Sequence, residues 1–256
     1  MTFCIGMRCK DGLVALADTR VTAGNERIMA GKISVHQYER HSLFIMTSGL
    51  RSVRDKAIAF YEELLDQQEK EMTKTFHAVD AFAKQIRRAR REDQKWLKRS
   101  GLNFDIHALV GGQLERDEEH KLYLIYPEGN WVEVGRATPY YIIGNFAYGK
   151  PLLDRAFSMD VDLKTAFKLA ILSFDATRTS ATDVGLPIDM VMYRKDSFQI
   201  VERRFVEEEL NPILQYWNQG IRGLVGSVPT HAVDGLFGEL EKSPAPPKRP
   251  PSSHPA

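Results

Sequence analysis

Apolar and polar positions along this chain follow two periods in turn, and each switch between them marks a change of element. Phe3–Arg8 and Leu13–Asp18 are short apolar-rich runs joined by Cys9-Lys10-Asp11-Gly12, and Asp-Gly between such runs predicts a tight hairpin. Further strands are expected around Ile33–His36 and Ser42–Met46, with Gly49 closing the series. The period then lengthens. Val53, Ala57, Tyr61, Leu64 and Leu65 share one helical face, and Phe76, Val79, Phe82, Ala83 and Ile86 share the face of a second helix running toward Trp96. Strands return at Asp105–Gly111, Lys121–Tyr126, Trp131–Val134 and Tyr140–Ile143, with Pro127-Glu128-Gly129-Asn130 as the turn between the middle two. Helices are expected from Tyr148 to Phe157 and from Leu163 to Thr177. Strands Ile188–Tyr193 and Phe198–Phe205 then flank the turn Arg194–Ser197, and one more helix follows Glu207-Glu208-Glu209.

Strands, two helices, strands, two helices, strands is an order that suits two antiparallel sheets face to face with helices outside both. The expected class is therefore α+β, a four-layer αββα sandwich. One domain is expected over residues 1–242. From Ser243 the chain is rich in proline and carries nothing to bury, so 243–256 is expected to be a disordered tail.

Composition narrows the classes. The 256 residues are 43% hydrophobic and 27% charged, as in ordinary globular proteins. With 35 basic against 34 acidic side chains, no net field draws the chain to nucleic acid or an anionic membrane. Arg87 to Arg99 is a basic stretch, read as a solvated helix face or as a contact for an acidic neighbour. Cys4 and Cys9 lie five apart in one predicted strand and so face opposite ways, which argues against a disulfide or a zinc site. Two free thiols suit a reducing compartment, no apolar run reaches the roughly 18 residues of a membrane span, and the start lacks a signal-peptide pattern, so a cytoplasmic protein is expected. The seven histidines show no metal-ligand spacing, and Gly111-Gly112 lacks the lysine and hydroxyl of a phosphate loop, so neither metal nor cofactor is expected.

The candidate chemistry sits at the start. Methionine before a small residue is normally excised, leaving Thr2 first. A terminal threonine combines a nucleophilic hydroxyl with a base, since its free α-amine titrates at about 7.7–8.0. Asp18 closes an apolar strand and Lys32 precedes another. A lysine beside the threonine would stabilise an alkoxide-like oxygen, and the aspartate would orient that lysine. Taken alone, Asp18 reads equally as a strand-end residue and Lys32 as an edge-strand gatekeeper.

Together these segments carry a resemblance. Gly12-Leu13-Val14-Ala15-Leu16-Ala17-Asp18-Thr19-Arg20-Val21-Thr22-Ala23-Gly24, Lys32-Ile33 and Ser48-Gly49-Leu50 look like the opening of a proteasome β-type subunit. Met1-Thr2 without a propeptide, Ile143-Gly144 with Tyr148–Ala156, and Leu186-Pro187-Ile188-Asp189 followed by Arg194–Ser197 resemble the bacterial proteasome-like family Anbu, the ancestral β-subunit. That resemblance, over residues 1 to about 225, implies the N-terminal nucleophile hydrolase fold, hydrolysis of peptide or other amide bonds, and assembly into a ring or helical homo-oligomer. Carried over by motif, Thr2 is the nucleophile, Asp18 and Lys32 complete the catalytic set, and Gly49 lends an oxyanion-hole N–H. Thr22 matches the position whose backbone pairs with an extended substrate, Thr47 the floor of the specificity pocket, and Arg20 lies beside Asp18 as a support. The family's Asp and Ser near the nucleophile fall in Thr179–Gly185, where Ser180 and Asp183 are the candidates at altered spacing; Asn145-Phe146 replaces the serine expected near Gly144. Three functions fit: a threonine-type endopeptidase, an N-terminal amidohydrolase acting on a small or modified peptide, and a structural ring subunit with little turnover. Any unfoldase partner would be a separate chain.

Overall fold

The computed structural model describes residues 2–23, 26–68 and 72–242, with backbone alone at 21–23, 26–28 and 68. Met1 and the proline-rich segment 243–256 lie outside the described residues. The first hairpin forms as patterned, β1 (Phe3–Cys9) pairing antiparallel with β2 (Gly12–Asp18) so that Cys4 faces Ala17. Both strands are buried along their whole length because each face of their sheet is covered. Their neighbours are β10 (Tyr140–Gly144) beside β1, then β11 (Ile188–Arg194) and β12 (Ile200–Phe205) beyond β2. The second sheet runs in sequence order through β5 (Ile33–Tyr38), β6 (His41–Gly49), β7 (Ile106–Gln113), β8 (Lys121–Ile125) and β9 (Trp131–Glu133).

Three apolar clusters separate four layers. Cys4, Ala15 and Val191 of the first sheet meet Phe44, Met46 and Leu109 of the second in a central cluster. The outer face of the second sheet is covered by α1 (Arg51–Gln68) and α2 (Thr75–Arg99), through Val53, Tyr61, Phe82 and Ile86. The outer face of the first is covered by α3 (Lys150–Ala156), α4 (Leu163–Ser180) and the start of α5 (Glu207–Gly226), through Leu153, Phe174 and Leu210. This is the expected αββα sandwich. Cys4 and Cys9 are free, buried and in different clusters, as their five-residue spacing requires.

The compact unit holding both sheets spans Met1–Leu214, and a second unit spans Gln215–Ala256, in which the described residues form the end of α5 and α6 (Asp234–Lys242). Three details differ from the pattern-based expectation. A separate two-stranded sheet, β3 (Arg20–Ala23) with β4 (Glu26–Met29), was not anticipated, because four-residue strands are too short to show a period. Nor was α6. The final strand begins at Ile200 rather than Phe198, since Asp196 and Phe198 both adopt positive φ, 60° and 50°, to turn the chain. Part of the basic stretch of α2 is engaged by neighbours: Arg87 donates to the Gly129 carbonyl, Arg88 lies 3.5 Å from Glu92, and Arg99 stacks 4.9 Å over Trp96.

Gly111 and Gly112 have a packing role. A Cβ on Gly111 would stand 2.4 Å from the buried Phe44 ring, and one on Gly112 would stand 1.9 Å from the Ser42 carbonyl oxygen. A ring can shift and a strand backbone cannot. Gly111→Ala is therefore expected to cost about 1–3 kcal/mol, as overpacking does, and Gly112→Ala more, in urea unfolding.

Candidate active site

Strand pairing brings the candidate residues together. Thr2 precedes β1 and Asp18 ends β2, so the antiparallel register places both at one end of the first sheet. Lys32 precedes β5 of the facing sheet, where its carbonyl accepts from the Thr47 N–H at 3.2 Å. All three side chains are buried, with Thr2 8%, Lys32 7% and Asp18 0% exposed.

They converge on one atom. Asp18 Oδ1 accepts from Thr2 Oγ1 at 2.8 Å, from the Phe3 backbone N–H at 2.8 Å and from Lys32 Nζ at 2.6 Å. Lys32 Nζ also donates to the Arg20 carbonyl at 2.7 Å. The Thr2 main chain is held from the other side, its carbonyl accepting from the Asn145 N–H at 2.7 Å. At Gly144, which has φ +90°, a Cβ would fall 2.1 Å from the Thr2 carbonyl oxygen, so only glycine lets β10 approach this closely. Thr2 is thus fixed through hydroxyl and backbone before any substrate arrives, which is what a positioned nucleophile needs. Cys4, the nearest thiol, offers no competition: burial pushes it up to about 12, leaving it protonated and unreactive.

Thr2 and Lys32 open into a cavity of about 610 Å³ whose walls include Thr47, Gly49 and Gly144. Gly49 ends β6 with φ +124°, where any Cβ would collide with the Asp105 carbonyl at 2.3 Å. Thr47 is 3% exposed and also lines a side recess of about 200 Å³ with Lys32 and Arg54. Thr22 lies on β3 opposite Arg27, with its side chain outside the described residues. Arg20 supports the site in two ways: its carbonyl holds Lys32, and its guanidinium donates to the Thr182 carbonyl at 2.8 Å. Thr182 and the half-buried Asp183 form the turn after α4, so Arg20 ties that turn to the site, while Ser180 is the exposed last residue of α4. Among the described residues, no cluster of His, Cys, Asp or Glu is arranged to hold a metal ion, and no helix is long and apolar enough to cross a membrane.

Other walls of the cavity escaped the sequence reading. Arg51 and Arg54 at the start of α1, and Asp105 and His107 at the start of β7, all line it. Only Gly49, which joins β6 to α1, hinted that the first turn of that helix would come close to Thr2.

The comparisons with known proteins agree with this architecture. The family model for proteasome subunits matches residues 2–191. A structure of Anbu from Hyphomicrobium sp. strain MC1, a Gly-1 mutant, is 30% identical, covering 90% of this chain and 98% of that one with a TM-score of 0.82. A structure of the helical assembly of the Anbu complex from Pseudomonas aeruginosa is 27% identical, covering 96% of this chain and 98% of that one with a TM-score of 0.77. Proteasome subunit beta 2 of Pyrobaculum islandicum is 23% identical over 78% of this chain and 94% of its own.

The buried pair sets a stability test. Lys32→Met leaves the Asp18 carboxylate buried without its cation, and urea unfolding is expected to show a loss of roughly 3–5 kcal/mol. Adding Asp18→Asn to that variant should recover part of the loss, because the stranded charge is gone. A loss under about 1 kcal/mol for Lys32→Met alone would contradict the pairing.

Proposed function

This chain belongs to the proteasome subunit family, in its Anbu (ancestral β-subunit) group, and on that premise we propose that it is a threonine-type endopeptidase. The observation that carries the proposal is the convergence of Thr2 Oγ1, the Phe3 N–H and Lys32 Nζ on Asp18 Oδ1 beneath an open cavity. In the working form Met1 has been removed, because an α-amine tied up as an amide cannot accept a proton.

The hydroxyl of Thr2 attacks the substrate carbonyl while its own α-amine takes the proton. Lys32, held by Asp18 and the Arg20 carbonyl, lies near the hydroxyl as a fixed positive charge and favours the oxygen as negative charge builds on it. The Gly49 N–H then binds the tetrahedral oxyanion, an interaction typically worth about 3–4 kcal/mol in the transition state. Collapse releases the amine with a proton and leaves an ester on Thr2, which water cleaves to regenerate the hydroxyl. Thr22 pairs with the extended substrate backbone, and Thr47 floors the pocket for the side chain next to the scissile bond. Asp183, in the turn that Arg20 ties to the site, supplies its outer support, and Ser180, exposed at the end of α4, takes no part in it.

Self-assembly belongs to the same reading. The Pseudomonas aeruginosa relative was solved as a helical assembly, and a homo-oligomer of this chain would enclose the Thr2 cavities and restrict them to peptides or unfolded chains. We place it in the cytoplasm, with residues 1–242 as its folded part.

Paired substitutions at the first position test the mechanism. With a panel of quenched fluorescent peptides, Thr2→Ala is expected to lower kcat/KM by at least about a thousandfold, as loss of a nucleophile does, whereas Thr2→Ser retains measurable turnover. Unchanged hydrolysis by Thr2→Ala would overturn the assignment.

A further inference from the structure

Among the described residues, the charged side chains that line the cavity above Thr2 are mostly basic: Arg20, Lys32, Arg51 and Arg54 against one carboxylate, Asp105. Lys32 is neutralised by Asp18 at 2.6 Å. Behind the wall, Asp55 lies 2.6 Å from Arg54 Nη2 and 3.4 Å from Arg51 Nε, so one acid is shared by two guanidinium groups. Arg20 donates to a carbonyl, which leaves its charge uncompensated by that bond. Asp105 has a 56% exposed side chain, where water weakens its field, and it stands 3.5 Å from His107 Nδ1. Helix α1 begins at Arg51, so its positive end faces the same space.

The side recess sharpens this picture. At about 200 Å³ it is the size of a single side chain, and Lys32, Thr47 and Arg54 line both it and the main cavity. Its acids are Asp55, already held by two arginines, and Glu62, which is exposed. In the recess a lysine or arginine would meet the Arg54 guanidinium and an Asp55 already paired with it. A carboxylate would meet Arg51 and Arg54 on the wall of the main cavity and Arg54 in the recess, planar donor pairs suited to it.

We propose that this wall selects an acidic side chain on the acyl side of the scissile bond, so that Thr2 attacks the carbonyl of a Glu or Asp residue. The proposal deepens the peptidase reading and rests on it for the site of attack. The carboxylate lies against Arg51 and Arg54, with Arg20 adding to the field.

Equilibrium binding tests it without requiring turnover. The probes are fluorescein-labelled tetrapeptide amides that differ only in the last residue, Glu, Gln or Lys, read by fluorescence anisotropy on the assembled, processed protein. The Glu peptide is expected to bind at least about tenfold tighter than its uncharged Gln isostere at low salt, with the gap narrowing as salt screens the wall. Arg51→Gln, at a residue half exposed on α1, should cut that ratio severalfold with the melting temperature unchanged. Glu and Gln binding alike, Lys binding better, no measurable binding by any peptide, or a ratio indifferent to Arg51→Gln would each overturn the proposal. Turnover of the same sequences separates the two claims. Cleavage without a Glu preference counts against the acidic wall alone, and a Glu preference in binding with no cleavage counts against the Thr2 mechanism alone.

Discussion

One carboxylate oxygen organises this molecule. Asp18 Oδ1 receives a hydroxyl, a backbone N–H and an ammonium, each within 2.8 Å, at a residue with no exposure to solvent. A buried carboxylate is tolerable only when its charge is answered, and here the answer comes from Lys32. The consequence is geometric. The end of β2, the first residues of β1 and the entry to β5 are locked to a common point. Desolvation makes the pair costly to break, and it also strengthens whatever field Lys32 exerts on the Thr2 hydroxyl.

The layered fold exists around that point in a specific sense. Thr2 and Asp18 come from neighbouring strands of one sheet, but Lys32 comes from the other, so the site is complete only when the two sheets are face to face. The central cluster that holds them, from Cys4 through Met46 and Leu109, is therefore part of what positions the chemistry. Gly144 contributes from the opposite side by letting β10 come against the Thr2 carbonyl. The cavity then opens where α1 begins, which sets the arginines of its first turn on the same walls as Thr2.

Much of this could be read from the residues. The hairpin, both helix pairs and the sandwich order follow from periods two and 3.6; Thr2 stood out because excision of Met1 leaves it first and Asp18 because an acid closes an apolar strand, whereas the grouping of both with Lys32 rested on the resemblance of the motifs. What escaped detection had no such contrast. Arg51 and Arg54 look like ordinary surface positions on an amphipathic helix, and only the cavity that this helix end shares with Thr2 makes them walls of the site. The β3–β4 ribbon is too short to show a pattern. Arg20 was legible as a neighbour of Asp18, yet the atom that holds Lys32 is its backbone carbonyl, which no side-chain pattern reveals. Gly111 and Gly112 could be set aside as a phosphate loop, but their packing role stayed hidden: they are places where a ring and a strand come too close for a side chain.

The central claim is that Thr2, freed of Met1, is a live nucleophile. The intact mass of the purified protein, taken before and after exposure to a peptide epoxyketone that requires a terminal hydroxyl and amine on one residue, tests it most directly. The account predicts a starting mass lacking methionine and one adduct per chain, mapped to Thr2. A retained Met1, or a processed chain that stays unmodified, would contradict it.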